Sequence, residues 1–201
     1  MTLSAPRLSR AELVDLPGAW QVRSSEVVHH GAVWDVRRDE VELPDGPAHR
    51  EYVQHTGAVA VLALREDRGE PEILLVRQYR HPIAAQDWEV PAGLLDVPGE
   101  PLVEAARREL AEEADLRAED WQELISFTPS PGGLDEVIHV FVATGLSDVP
   151  QDQRHHREGE ESQMPTAWVG LQDVVDAALA GQVHNGPMML AALALAARRS
   201  A

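Results

Sequence analysis

GLLDVPGEPLVEAARRELAEEADL, residues 93–116, reads as a Gly- and Pro-punctuated loop running into a helix. Leu102, Val103, Ala106, Leu110 and Ala114 repeat at helical spacing. Pro101 suits a first turn, because its φ is already near-helical and its missing N–H has no partner to lose there. The spacing predicts a helix over 101–114. Glu109, Glu112 and Glu113 then fall on neighbouring positions of one side. Glu109 and Glu113 are a like-charged i, i+4 pair, which costs roughly 0.2–0.5 kcal/mol unless something positive lies between them. Oxygen-only donors suit a hard ion such as Mg²⁺ or Mn²⁺. The helix by itself equally admits a solvated face laced by the i, i+4 pairs Glu104–Arg108, Arg108–Glu112 and Glu113–Arg117, and its composition alone favours that reading.

Working outward, GAVAVLAL (57–64) is a continuous apolar run of strand length, and 72–79 is a second strand. Trp88-Glu89-Val90 leads into a reversal at Pro91-Ala92-Gly93. Further back, 21–28, 32–43 and 49–55 read as strands around the turn Pro44-Asp45-Gly46-Pro47. Downstream, strands are expected at 121–127, 137–143 and 165–169, with a long polar loop over 148–163. Helices at 171–180 and 187–199 close the chain, the second capped by Asn185. Strands interleaved with a few helices give a mixed α/β (α+β) sandwich. The expected organisation is a weakly structured segment 1–19, an N-terminal β domain 20–56 and a main domain 57–201.

Composition removes several chemistries. The 201 residues contain no Cys, so disulfides, thiolate metal sites and a Cys nucleophile are absent. All 17 basic residues are Arg, which excludes a Schiff-base or Walker A lysine. A formal charge of −17 argues against nucleic acid as partner, since phosphate neutralisation needs a basic surface. No apolar run approaches the roughly 20 residues of a membrane span, and 1–16 does not read as a signal peptide, so a cytoplasmic protein is expected. The adjacent pairs His29-His30 and His155-His156 point apart in extended chain, and zinc is not expected.

The stretch 93–116 resembles the Nudix box, G-x5-E-x7-R-E-U-x-E-E-x-G-U with U apolar. Glu100, Arg108, Glu109, Leu110, Glu112, Glu113 and Leu116 fall into place, including the gap from Glu100 to Arg108. There are two departures. Gly93 lies one residue too far from Glu100, and the second glycine is replaced by Asp115. Asp tolerates a left-handed helix-ending conformation, but its charge opposes the dipole at that end, so a modest stability penalty is expected. The resemblance implies a Nudix-type α/β/α sandwich with a mixed sheet, preceded by a small antiparallel β domain. It also implies a magnesium site (Mn²⁺ as possible substitute) held by Glu109, Glu112, Glu113 and the carbonyl of Ala92. Glu100 and Arg108, with Gly93, would brace the loop.

Three segments outside the box resemble the ADP-ribose pyrophosphatases of that family: 76–96, 130–146 and the strand-rich region before Gly57. The resemblance, over about 20–199, implies hydrolysis of ADP-ribose to AMP and ribose 5-phosphate, in a homodimer that exchanges the N-terminal domain. Arg80 would contact the diphosphate, which favours a planar, permanently charged donor. Glu89 would contact the adenine or its ribose, and Glu136 the terminal ribose or its water. Trp34 would stack on the base or be a buried core tryptophan. The catalytic base would come from an acidic loop offering Glu158, Glu160 and Glu161. Glu161 fits the family's acidic-pair-then-methionine pattern, and Glu112 is a second possible base. The alternatives are another nucleoside diphosphate sugar or a dinucleotide as substrate, and a ligand-binding module without catalysis.

Overall fold

A computed structural model describes residues 4–157 and 164–200. The run GAVAVLAL becomes β4 (Ala58–Arg65), and its unbroken hydrophobicity has a two-sided cause. Side chains alternate across a strand. Ala58, Ala60, Leu62 and Leu64 enter one core, while Val59, Val61 and Ala63 enter another. With both faces covered, no polar position survives.

The strand runs parallel to β9 (Ile138–Asp148) and antiparallel to β5 (Glu72–Arg80) and β7 (Ala92–Leu94). With β6 (Ala85–Glu89) paired to β5, β8 (Leu116–Phe127) and β10 (Thr166–Gly170) complete a mixed sheet of order β10-β5-β4-β9-β8. Helix α1 (Leu102–Ala114) covers one face, where Ala105, Ala106 and Leu110 meet Val59, Val61 and Phe141. Leu110 is fully buried, and Leu110→Ala there is expected to cost about 2–5 kcal/mol. Helices α2 (Leu171–Leu179) and α3 (Gly186–Arg199) cover the other face through Leu171, Val174, Val175, Met188 and Leu195. The result is a three-layer α/β/α sandwich. Asn185 caps α3 as expected, its side-chain oxygen accepting from the Met188 N–H at 3.0 Å.

Element boundaries differ from the sequence reading mainly at β8. It starts at Leu116, directly after the helix, rather than at 121. Leu116, Arg117 and Ala118 pair with Asp148, Ser147 and Leu146, extending β9 to the same point. Much of this added edge is charged or exposed and carries no apolar alternation to read.

The chain divides into two units, 1–52 and 53–201. The sandwich belongs to the second. In the first, β1 (Val22–His30) pairs antiparallel with β2 (Asp35–Leu43), and β3 (Gly46–Gln54) follows across the two-residue turn Pro44-Asp45 in the sheet order β1-β2-β3. None of the described residues of this unit is buried. Among the described residues no helix is long and apolar enough to cross a membrane.

Candidate active site

Glu109 sits on the inward side of α1 beside Ala105, Ala106 and Leu110, only 8% exposed. Gly93 of β7 faces it. A Cβ at Gly93 would stand 1.9 Å from the Glu109 Cδ, so only glycine permits this approach. One residue earlier, the Ala92 N–H donates to Glu113 Oε2 at 2.9 Å. The 92–93 main chain thus meets two of the three glutamates. Burial pushes the Glu109 carboxyl up from its ordinary value, opposed by the neighbouring Arg108 guanidinium.

Arg108 organises the carboxylates around it. Its Nε and Nη2 donate to Glu100 Oε1 and Oε2 at 3.3 and 3.1 Å, and Nη1 donates to Glu109. The same nitrogen lies 3.5 Å from Glu112 Oε2, and Nη2 lies 3.7 Å from Asp96 Oδ1. Glu100 foremost, with Glu109 beside it, raises the guanidinium's pKa. Of the three ion pairs expected for a solvated face, Arg108–Glu112 forms. Glu104 pairs with Arg107 at 3.5 Å. Arg117 lies beyond the helix on β8 and donates to Gln153 at 2.8 Å. The helix ends at Asp115, which turns left-handed (φ 54°) and breaks the i, i+4 geometry before Arg117.

Arg80 and Glu89 join this face of the sheet. Leu74 packs in the α1-side core, and even-numbered positions of β5 continue that face to Arg80. Glu89 opposes Val76 across the hairpin and is 5% exposed. Arg80 donates to both its oxygens at 2.7 Å. That pairing raises the Arg80 pKa, with further attraction from Glu113 and Asp87.

Glu136 faces buried His55, Oε1 to Nε2 3.7 Å, and the Gly57 N–H donates to His55 Nδ1 at 3.0 Å. Trp34 belongs to the first unit and is 46% exposed, which overturns the buried-core alternative. Glu158, Glu160 and Glu161 lie outside the described residues. A cleft of about 580 Å³ lined by Arg65, Leu116, Gly145, Asp148 and Trp168 contains none of these groups.

Two contributors escaped the sequence reading. His55 belongs to no motif in the sequence. Arg157 reaches the end of α1, donating from Nε to the Glu112 carbonyl at 2.6 Å and pairing with Asp115 at 2.8 Å. No local pattern links residues this far apart in sequence.

The donors on α1 suit a hard divalent cation: carboxylate oxygens only, one of them buried where a neighbouring positive charge would offset its desolvation. Among the described residues no three acidic or imidazole groups already converge as a chelate. Glu109 and Glu112 are turned toward Arg108, and Glu113 toward the Ala92 N–H.

The NUDIX domain family matches residues 54–191, which covers the sandwich into the first half of α3 and includes Glu100, Arg108, Glu109, Glu112 and Glu113. The chain belongs to the Nudix family. Residues 20–53 match a nucleoside diphosphate sugar hydrolase N-terminal domain. The chain is 42% identical over 173 residues to the ADP-ribose pyrophosphatase of Mycobacterium tuberculosis, covering 86% of this chain and 81% of that one. It is 45% identical over 124 residues to the methanol dehydrogenase activator of Bacillus methanolicus, covering 61% and 65% respectively. A solved structure described as an ADP compounds hydrolase superposes with a TM-score of 0.70 over 90% of this chain and 95% of that one. At 22% identity that likeness speaks to the fold.

Proposed function

We propose that this protein hydrolyses the diphosphate of ADP-ribose to AMP and ribose 5-phosphate with a divalent cation, Mg²⁺ in the first instance. The carrying observation is the close approach of Glu109 to Gly93, which holds a buried carboxylate beside Glu112 and Glu113, with Glu113 within electrostatic reach of Arg80. Substrate choice rests on the Mycobacterium relative, matched over most of both chains.

Glu109, Glu112, Glu113 and the Ala92 carbonyl would hold the cation. When bound, it polarises phosphoryl oxygens and lowers the pKa of an attacking water. The rest falls to the chain. Arg80, presented by Glu89, offers a fixed guanidinium to the diphosphate. Arg108, clamped by Glu100, keeps the glutamates from repelling one another before substrate arrives. Glu161 is the proposed base, with Glu112 the alternative, and Glu136 is assigned to the terminal ribose.

The match of 20–53 favours a second reading, a nucleoside diphosphate sugar other than ADP-ribose. The test is product analysis by phosphorus NMR on a panel of nucleoside diphosphate sugars and dinucleotides with Mg²⁺ or Mn²⁺. AMP and ribose 5-phosphate in equal amounts are expected from ADP-ribose. A tenfold or greater preference for another compound, about 1.4 kcal/mol in transition-state binding, would replace the substrate. No turnover of any would end the enzyme reading.

We also propose a homodimer in which a second copy covers the first unit. Trp20, Val22, Val28, Val33 and Trp34 are exposed there, in a unit with no buried residue among those described.

A further inference from the structure

The far end of α1 carries a clasp that the Nudix box does not require. Asp115 occupies the position where the box has glycine, and its backbone is left-handed at φ 54°. Its N–H donates to the Leu110 carbonyl, and its own carbonyl accepts from the Val149 N–H at 2.8 Å. Its carboxylate stands at the negative end of the helix dipole, where an anion is unfavourable. Only 20% of that side chain is exposed, and Oδ1 is buried without a hydrogen bond among the described residues.

Arg157 brings a positive charge to this carboxylate and a donor to the helix end. Its Nη2 pairs with Asp115 Oδ2 at 2.8 Å as a charge contact rather than an aligned hydrogen bond. Its Nε donates at 2.6 Å to the carbonyl of Glu112, one of the last-turn carbonyls that no helical N–H satisfies. Arg154 adds a more distant charge, Nη1 to Oδ2 4.0 Å. The guanidinium therefore spans from the Asp115 side chain to the peptide of Glu112, which sits next to Glu113.

We infer that Arg157 is a positioning residue for hydrolysis: it fixes the last turn of α1, and with it Glu112 and Glu113, against the chain that enters from residue 157. The inference rests on the hydrolase reading above. Capping alone would be served by a donor to any last-turn carbonyl and a charge near Asp115. The two-point reach, one point of it on the backbone of Glu112, ties the glutamate pair to the sequence immediately preceding Glu158. Asp115 is the anchor that holds the guanidinium in place.

The test separates capping from positioning. Arg157→Ala should lower kcat on ADP-ribose by about tenfold or more, with KM changed by less than about threefold, because substrate contacts are intact. Mn²⁺ affinity without substrate, read by electron paramagnetic resonance, should weaken by several fold or more. Amide exchange should rise in peptides spanning 110–116. Adding Asp115→Gly to Arg157→Ala removes the uncompensated carboxylate and should return Tm toward wild type without restoring kcat or Mn²⁺ affinity. Recovery of kcat together with Tm would reduce Arg157 to a cap, and a wild-type kcat and Mn²⁺ affinity in Arg157→Ala would overturn the inference outright. If Arg157→Ala does not fold, Arg157→Lys carries the same split: Tm held by the retained charge, kcat lowered by loss of the two-point reach. Absence of turnover in the wild type would defeat the hydrolase reading, while Mn²⁺ affinity and amide exchange would still judge whether Arg157 positions the glutamates.

Discussion

Arg80 and Glu89 form a two-point ion pair across the β5–β6 hairpin, both N–O distances 2.7 Å, with the Glu89 side chain 7% and that of Arg80 46% exposed. The asymmetry assigns the work. Glu89 is the buried holder, and Arg80 is the half-exposed fork it presents. Arg80→Ala strands a buried carboxylate and should lower stability by about 1–3 kcal/mol, whereas Arg80→Ala combined with Glu89→Leu should recover part of that loss. Arg80→Lys keeps the charge but loses the planar fork, and should reduce kcat/KM for ADP-ribose by about tenfold or more. Denaturant unfolding and steady-state kinetics read the two effects. A wild-type kcat/KM for the Lys variant would remove Arg80 from the diphosphate site.

Gly93 tests the metal reading without touching a carboxylate. Its substitution by Ala forces a Cβ to within 1.9 Å of the Glu109 Cδ, so the Glu109 carboxylate must leave its place. The expected outcome is a kcat lower by about two orders of magnitude or a comparable rise in the Mg²⁺ needed for activity, with far-ultraviolet circular dichroism unchanged. Wild-type activation by Mg²⁺ would show that the approach of Glu109 to the main chain does not matter for the chemistry.

The pH dependence of the metal-free protein follows from Glu109. Its carboxyl is raised by burial, so the native state holds that proton more tightly than the unfolded chain does. The stabilising contribution is therefore present in acid, below the unfolded carboxyl pKa near 4.3, and is lost as pH rises through the folded value. Glu109→Gln should raise the Tm of the metal-free protein at pH 7–8, with the gain shrinking toward pH 4. Mg²⁺ should raise the Tm of the wild type but much less that of the variant. A variant less stable than wild type at pH 8 without metal would contradict the sign. Replacing Glu113 by Gln should cut turnover by orders of magnitude with little loss of stability, because the amide oxygen can still accept from the Ala92 N–H.

How far the sequence carried this picture depends on the range of the interaction. The β4 strand was legible because burial on both faces leaves an unbroken apolar run, and α1 because its inward residues keep the helical period. Glu100 and Arg108 were legible as a spaced pair, and the structure joins them. The pairing of Arg80 with Glu89 was not, since both were read as separate contacts to substrate. Only the β5–β6 register places them on one face. Asp115 was read as a simple penalty, because its compensating charge, Arg157, comes from far along the chain. Side chains joined by tertiary structure leave no period in the sequence.

The first unit makes the last prediction. Val22 and Val28 on β1 are 47% and 39% exposed, and Trp20 and Trp34 are 58% and 46% exposed. Isolated exposed apolar residues are ordinary, but here they occur in a sheet none of whose described residues is buried. A three-stranded sheet in that state is marginal in water unless something packs on it. If a second copy does so, sedimentation at micromolar concentration should show a dimer. Val28→Asp combined with Trp34→Ser should shift it toward monomer and lower Tm in a concentration-dependent way. A wild-type protein that sediments as a monomer across that range would leave the sheet's stability to some other partner and sink the homodimer. A dimer insensitive to both substitutions would move the interface away from these residues.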